Sequence, residues 1–454
     1  MAGPSRDKKL SYIQHDHSDK VDHGHMEIFK LLILTFFIAV IAWALTVVMR
    51  SSIEHASEFL IEQITAGAEY QWIIFVSVIL TGAIIRALLI TLSNWDDAYG
   101  DGATQSMQKF YSSYNEEDAT YRYKSATFTQ SVRRVVMTFL TLGTGGSGGL
   151  EGPAIPVGEG IGAAFAKMFK VNDNDTLRVL QVAGISACVC TLLQSPLTSV
   201  IFASEVVFCG RFIYHPMMFG LLSSLVAYFL NNHISQLEPL YYHPTHDAVY
   251  TLMEYAEISV VAILVSIPTG IGLRSLLNLF KKIFMPIPLV MRSPVAALLI
   301  SGIVWASITY LSLPPESVIG VGEKMVGVIV NSDVVDYSFQ TLIAIILIKS
   351  IVTCLTLMSG GSAGLLIPAT FLGAFCGALA FKVAFIFNLT TLDSSILYIV
   401  TGLASSLVAV IEIPLTAIVL VIEIFGRGYG PSAILAVCVC NFFINQVKKR
   451  QALK

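Results

Sequence analysis

The residue of this chain with the clearest chemical potential is Glu151, a carboxylate in a glycine-rich stretch that interrupts apolar sequence. Residues 147–162 recur at 362–377, where seven of the sixteen positions are identical, including Pro153 and Pro368. Glycine-rich backbone followed by proline and an apolar run is typical of a helix that begins inside a membrane. In duplicated membrane proteins, helices broken at matching positions surround the substrate. The pattern therefore predicts an ion or solute pathway.

The chemistry expected of these motifs is anion binding. A helix start leaves backbone N–H groups without intrahelical partners and carries a partial positive charge. Two starts directed at one point would bind an anion without a Lys or Arg, which would hold a transported anion too tightly. Glu151 lies at the first start, and Leu366 takes its place at the second. A carboxylate there can occupy the anion site and leave when protonated, so we expect a gate or a proton carrier. The alternative is a helix-capping glutamate without a transport role.

Membrane helices must position these motifs. Of the 454 residues, 55% are hydrophobic and 13% are charged, which excludes an ordinary soluble globule. Residues 31–49 form an uncharged run about as long as a membrane span. Apolar segments such as 135–142, 197–203 and 414–422 are shorter and predict partial, re-entrant helices. The predicted fold is an all-α integral membrane protein, made of two repeats of inverted topology that combine spanning and partial helices.

The duplication also predicts how the chain is divided. The expected parts are a disordered cytoplasmic His-rich tail (1–26), a first membrane repeat (27–232), a linker (233–254), a second membrane repeat (255–447) and a short cytoplasmic tail (448–454). Basic residues flank both ends of the apolar region, and the positive-inside bias therefore places both termini in the cytoplasm. We expect an inner or plasma membrane, and no targeting motif decides between them.

The repeat includes polar residues beyond the opening motif. Residues 182–205 parallel 400–423, and each segment carries Pro-Leu-Thr followed by Glu. Arg134 and Lys349 each lie seventeen residues before the equivalent positions Glu151 and Leu366. Two interpretations of these basic residues stay open: they supply positive potential to an anion pathway, or they snorkel to the membrane interface.

Other residues with chemical potential indicate neither catalysis nor metal binding. The histidines of the N-terminal tail favour a solvated segment over a metal or pH-sensing cluster, because no packed scaffold holds them. The seven cysteines lie in apolar stretches without a CxxC pattern and predict buried, reduced thiols. Residues 145–148 match the GxSG pattern of intramembrane serine proteases, but no His in a clear span is placed to activate Ser147. We expect no enzyme, no cofactor and no nucleic-acid partner.

These motifs resemble a known family. Residues 149–153 resemble the GxEGP element of the CLC chloride channels and chloride/proton exchangers, residues 364–368 resemble their GxFxP element, and residues 100–104 occupy the place of GSGIP. The resemblance covers roughly residues 27–447 and implies a homodimer in the lipid bilayer with one chloride pathway per subunit. It implies that Glu151 is the external gating glutamate. The backbone N–H groups that it assigns to anion binding are those of Gly149, Leu150, Glu151, Gly152, Leu365, Leu366 and Ile367.

Four departures from the family pattern bear on mechanism. Asp101 stands where the family usually has a serine at the inner anion site, which puts selectivity in doubt. Leu366 replaces a phenylalanine, and Val206 takes the place of the exchangers' internal proton-transfer glutamate. The chain ends soon after Asn445, so the family's last helix, with a pore-facing tyrosine, is expected to be missing.

Val206 and the missing tyrosine favour a passive chloride channel that is voltage- and pH-dependent. A chloride/proton antiporter of the same fold is the alternative. Glu159, eight residues after Glu151, falls on roughly the same helix face and with Asp101 offers another proton route. A structural or water-facing role for Glu159 is the favoured interpretation.

Overall fold

The computed structural model describes residues 25–65, 69–103, 105–106, 128–171, 174–207, 213–236, 241 and 250–452. These residues are helical apart from short connections, and their only β pairing consists of isolated bridges. Of the histidines in the predicted tail, His15, His17 and His23 lie outside the described residues, whereas His25 begins the first helix.

The first part of the described chain contains seven α-helices. They are α1 (His25–Thr65), α2 (Glu69–Ser93), α3 (Phe128–Thr138), α4 (Glu151–Met168), α5 (Asn174–Leu193), α6 (Pro196–Val207) and α7 (Tyr214–Leu230). Turns of π-helix extend α3 over Phe139–Gly143 and α7 over Asn231–Ser235.

The second part contains nine more. They are α8 (Leu252–Ser266), α9 (Leu273–Phe284), α10 (Leu289–Leu311), α11 (Glu323–Asn331), α12 (Phe339–Met358), α13 (Leu366–Ile386), α14 (Ser395–Ile411), α15 (Pro414–Phe425) and α16 (Gly430–Ala452). A π-helical segment, Ile267–Gly272, joins α8 to α9.

Helix lengths confirm a multi-pass membrane protein with both spanning and partial helices. Among the described residues, nine helical segments are long and apolar enough to cross a membrane. Three apolar helices, α6, α14 and α15, are shorter than a span. The segments predicted as partial from their length correspond to α3, α6 and α15.

The succession α3 to α7 recurs as α12 to α16, and the two copies meet where their motifs begin. Gly149 donates its N–H to the carbonyl of Gly364 at 2.9 Å, and Gly364 donates to Gly149 at 2.7 Å. The bridge is antiparallel, so the equivalent backbone segments of the two copies run in opposite directions where they pair. This pairing agrees with the predicted inverted repeats.

Hydroxyl pairs repeat the same two-fold relation, and among the described residues each motif serine has a threonine hydroxyl as its side-chain partner. The Ser147 hydroxyl lies 3.1 Å from the hydroxyl of Thr353, and the Ser362 hydroxyl lies 2.9 Å from that of Thr138. Each serine is therefore tied to a threonine of the other repeat. A protease nucleophile would instead face a histidine or lysine.

The duplicated Pro-Leu-Thr and Glu elements form a reciprocal cap. Glu205 accepts hydrogen bonds from the N–H groups of Leu415 and Thr416 at 2.9 and 2.8 Å, and from the Thr416 hydroxyl at 2.6 Å. Glu423 accepts the equivalent bonds from the start of α6, including 2.7 Å from the Thr198 N–H. Since a carboxylate at a helix N-terminus satisfies orphan donors and complements the helix dipole, each repeat stabilises a helix start of the other.

Glu205→Gln should therefore destabilise the fold by about 2 kcal/mol, because the amide keeps one acceptor and turns a donor toward N–H groups. The measurement is the unfolding midpoint in detergent. The matched control is Glu412→Gln, whose half-exposed carboxylate pairs with Arg274 and Lys448 at the surface and contributes little. Equal midpoints for the two variants would contradict the reciprocal cap.

Two predicted boundaries differ from the observed helices. The second repeat begins earlier, because α8 starts at Leu252 within the predicted linker. Its N-cap is Thr251, which forms a capping box with Glu254. The last helix continues to Ala452 through the segment expected to be a tail. Basic side chains in its final turns suit the negative end of a helix dipole, so they extend α16 and do not terminate it.

Candidate functional site

The site is built at the starts of α4 and α13. Leu150 and Leu365 are the N-cap residues, and their carbonyls accept the first intrahelical bonds, from Ala154 at 3.0 Å and Ala369 at 2.9 Å. Both helices have a proline at their third position, where no N–H is needed. The N–H groups of the first turns therefore stay free of intrahelical partners.

Glycine permits the close approach of these starts. A Cβ on Gly152 would lie 2.6 Å from the Gly364 Cα, a distance that side-chain carbon atoms do not tolerate. A Cβ on Gly148 would lie 2.5 Å from the Cβ of Ala363. The two positive helix ends consequently converge on one buried region.

One predicted anion ligand needs correction. The N–H of Gly149 is already donated to Gly364, so it is not free to bind an anion. This hydrogen bond between the two repeats uses the Gly149 N–H group. The other predicted residues, Leu150, Glu151, Gly152, Leu365, Leu366 and Ile367, lie at or within the first turn of the two helices.

The Glu151 carboxylate occupies the gap between the two helix starts. Its exposed fraction is 0%, and neither oxygen makes a full hydrogen bond within the described residues. A Cβ on Gly149 would lie 2.5 Å from Glu151 Oε2 and 3.3 Å from the backbone nitrogen of Ile367. The carboxylate oxygen and the Ile367 N–H group are therefore both close to Gly149. A buried carboxylate without hydrogen bonds is unfavourable. The side chain thus lies where the two helix starts converge, without a full hydrogen bond to either.

A second carboxylate, Asp101, also lies close to the α4 start. A Cβ on Gly152 would be 2.7 Å from Asp101 Oδ1 and 3.1 Å from the Gly364 nitrogen. Asp101 Oδ1 also accepts a 3.3 Å hydrogen bond from the Ala103 N–H. Asp101 is half-buried, in contrast to Glu151. Two carboxylates therefore lie close to the first turn of α4.

The buried basic residues hold the backbone near these carboxylates. Arg134 and Lys349 both have an exposed fraction of 0%, so the interpretation that they snorkel to the interface is wrong. Arg134 donates to the carbonyl of Gly100 at 3.4 Å, and Lys349 donates to the carbonyl of Gly320 at 3.1 Å. The two cations thus have equivalent roles in the two repeats.

These contacts reveal a pair of segments that the sequence analysis missed. Gly100 donates to the carbonyl of Gly361 at 2.8 Å, and Gly320 donates to that of Gly146 at 2.9 Å. Residues 320–322 are therefore the structural counterpart of residues 100–102. The available signal was a Gly-x-Gly pattern in both segments. It is too short to be specific without the neighbouring contacts.

The remaining predicted residues lie around this centre. Glu159 accepts a 2.8 Å hydrogen bond from the Ser106 hydroxyl on the segment that carries Asp101. Val206 is buried near the end of α6 in the main hydrophobic core, directly after Glu205. Leu366, at the first position of α13, is 3% exposed. Within the described residues, His, Cys, Asp and Glu side chains form no group suited to a metal ion.

Comparison with known proteins decides the family. The family model described as voltage gated chloride channel matches residues 82–445. The chain belongs to the CLC family. It is therefore an integral membrane protein of a family of anion channels and transporters, as the sequence motifs predicted.

Curated relatives include proteins with different printed functions. An uncharacterized protein of Methanocaldococcus jannaschii is 25% identical over 68% of this chain and 74% of its own length. The H(+)/Cl(-) exchange transporter ClcA of Vibrio parahaemolyticus is 23% identical over 67% of this chain and 64% of its own. A chloride/fluoride channel protein of Pseudomonas syringae pv. tomato is 26% identical over 66% and 63%. The chain thus spans less than two thirds of the length of the latter two.

Solved CLC structures share the whole fold. A slow cyanobacterial Cl-/H+ antiporter superposes with a TM-score of 0.78 at 18% identity, over 92% of this chain and 94% of that one. A CLC-type fluoride/proton antiporter gives a TM-score of 0.73 at 20% identity, over 94% and 98%. These likenesses confirm the predicted fold class.

Proposed function

We propose that this CLC protein exchanges a small halide anion for protons, with Glu151 as the group that couples the two. The observation that supports this most directly is the position of the Glu151 carboxylate, which is buried between two helix starts and has no full hydrogen bond to any residue that the structure describes. The names of related proteins add support, because a Vibrio relative and two structural neighbours are described as proton exchangers or antiporters.

The exchange follows from competition for one place. The N–H groups of the first turns of α4 and α13 attract either an anion or the Glu151 carboxylate. When Glu151 takes up a proton, it loses its negative charge and is no longer attracted to these N–H groups, so an anion can enter. When the anion leaves toward one side, the carboxylate releases its proton to the other side and returns. Partial charges suit this cycle because they bind an anion without trapping it.

A passive channel is the second candidate function, and Val206 favours it. This position, next to the capping Glu205, holds a buried valine that cannot carry a proton. In such a channel, Glu151 would still gate the pathway and make conduction depend on voltage and pH. For an exchanger, Asp101 offers a different proton route, because it lies against the start of α4. Glu159 is on α4 itself and accepts a hydrogen bond from Ser106, on the segment that carries Asp101.

We take chloride as the reference anion because the family is named for it. Fluoride belongs in the same test, since the Pseudomonas relative is described with both anions. We also propose a homodimer with one pathway per subunit, with both termini on the cytoplasmic face of an inner or plasma membrane. Light scattering of the purified protein in detergent tests the subunit number.

The reversal potential of the reconstituted protein in planar bilayers tests the proposed function. Under a chloride gradient with an added pH gradient, an exchanger should reverse at a voltage displaced from the chloride equilibrium potential toward the proton potential. A reversal that stays at the chloride potential at every pH would select the passive channel. No chloride or fluoride current and no flux in liposomes would refute anion transport by this chain.

A further inference from the structure

Glu323 is an ionisable residue near the candidate site that the exchange cycle has not used. It begins α11, directly after the segment 320–322 that is the counterpart of 100–102 in the other repeat. Its side chain is 12% exposed. One oxygen, Oε2, lies 3.2 Å from the guanidinium of Arg50, whereas Oε1 is buried and has no hydrogen-bond partner in the described structure.

A small cavity joins Glu323 to the residue that precedes Glu151. Its volume is about 70 Å³, enough for water molecules. Leu150 and Gly320 line it together with Glu323, so it lies against the N-cap of α4. The carboxylates and the cation that line it are Glu54, Glu58, Glu316, Glu323 and Lys324.

The charges around this cavity favour protons over anions. Arg50 pairs with Glu54 at 2.7 Å and with Glu323 at 3.2 Å, and Lys324 pairs with Glu58 at 2.5 Å. Four carboxylates thus face two cations, both already paired. Such a surface repels anions and raises the local proton concentration.

Lys324 is not suited to carry the proton. The hydrogen bond that Lys324 donates to Glu58 raises the pKa of Lys324, which keeps the amine charged at physiological pH. Arg50 is a guanidinium, which does not titrate in this range. The candidate proton carrier at the cavity is therefore Glu323, whose side chain is 12% exposed, against 35% for Glu54 and 51% for Glu58.

The segment that carries Glu323 is held firmly beside the start of α4. Gly320 donates to Gly146 at 2.9 Å, and Lys349 holds the Gly320 carbonyl at 3.1 Å. A Cβ on Gly322 would lie 3.2 Å from the Lys349 amine, so the cation packs directly below this turn. Glu323 and Arg50 are both close enough to act electrostatically on Glu151.

We propose that Glu323 relays protons between this cavity and Glu151. A hydronium ion in the cavity gives its proton to the Glu323 carboxylate and becomes water. Glu323 then passes a proton through a cavity water to the Glu151 carboxylate, and its own carboxylate returns to the ion pair with Arg50. Only O–H bonds form and break, and no redox partner is needed. The inference rests on the proposed function, in which Glu151 takes up and releases protons.

The relay is tested with Glu323→Gln in proteoliposomes, where anion flux and proton movement are recorded as functions of pH. Proton movement should fall roughly tenfold or more. The pH dependence of anion flux should flatten, because Glu151 then loads its proton slowly. Glu323→Asp should restore part of both. The matched control is Glu62→Gln, an exposed carboxylate on α1 outside the cavity lining, which should keep wild-type proton movement and pH profile.

Several outcomes would overturn the relay. Wild-type proton movement and pH profile in Glu323→Gln would do so. A uniform loss of both fluxes at every pH, without rescue by Glu323→Asp, would assign Glu323 a purely structural role. Anion flux in the wild-type protein that ignores pH would also overturn it. If the wild-type protein carries no anion, the proposed function itself fails; if Glu151→Gln removes pH dependence while Glu323→Gln does not, only the relay fails.

Discussion

Glu151→Gln should reduce proton movement by roughly a hundredfold or more, while anion transport continues. The amide has nearly the same shape as the carboxylate but neither the charge nor the exchangeable proton on which the cycle depends. It cannot compete with an anion for the helix-start N–H groups, so the site should stay open at all pH values. The measurement is paired recording of anion efflux and proton uptake in liposomes across a pH series.

The matched comparison is Glu159→Gln, the same substitution two helical turns further along α4. Glu159 accepts a hydrogen bond from Ser106 at 2.8 Å, and we expect this variant to keep its coupling to protons. Loss of coupling in Glu159→Gln with anion flux intact would place Glu159 on the proton path. Unchanged proton movement and pH dependence in Glu151→Gln would remove Glu151 from the mechanism.

Asp101→Ser should increase halide affinity at least roughly tenfold, or about 1.4 kcal/mol. Asp101 places a carboxylate against the α4 start and lies in the field of the buried Arg134. Two like charges about 4 Å apart repel by about 4 kcal/mol at an effective dielectric constant near 20. Removing the carboxylate also leaves the charge of Arg134 less compensated, which attracts the anion further. Tighter binding slows release, so turnover should fall as affinity rises.

Isothermal titration calorimetry with chloride and with fluoride measures this change in halide affinity. The control is Asp97→Asn, since Asp97 also lies in the field of Arg134 but pairs with Arg133 at 4.0 Å and does not contact the α4 start. Weaker halide binding in Asp101→Ser would mean that the carboxylate is itself a working part of the anion site.

The sequence was sufficient to predict the site where the relevant information is local. A Gly-rich turn, a proline in the first helical turn and an apolar run specify a helix that starts inside the membrane, whatever surrounds it. Their recurrence at 147–162 and 362–377 therefore predicted the α4 and α13 starts. Glu151 was identified for the same reason, because a carboxylate in such surroundings is costly.

Sequence reasoning failed where a group's role depends on a distant partner. The N–H of Gly149 belongs to a pair with Gly364, so a helix-start argument alone assigned it wrongly to the anion. Arg134 and Lys349 could not be distinguished from interfacial residues until their burial and carbonyl partners were known. The sequence did not predict a role for Glu323, because its partner Arg50 lies far away along the chain, in the first helix.

Composition, helix-start motifs and the repeat by themselves determined a duplicated helical membrane protein with a carboxylate at the start of one of two matching helices. Only the tertiary structure decided that the breaks pair antiparallel, that Glu205 and Glu423 cap each other's repeats, and that Glu151 and Asp101 both lie close to the start of α4. The physical reason is the separation along the chain between the groups that interact. Helix formation and membrane insertion depend on neighbours along the chain. Hydrogen-bond pairing and the electrostatics of a buried site depend instead on groups that come together only when both repeats have folded.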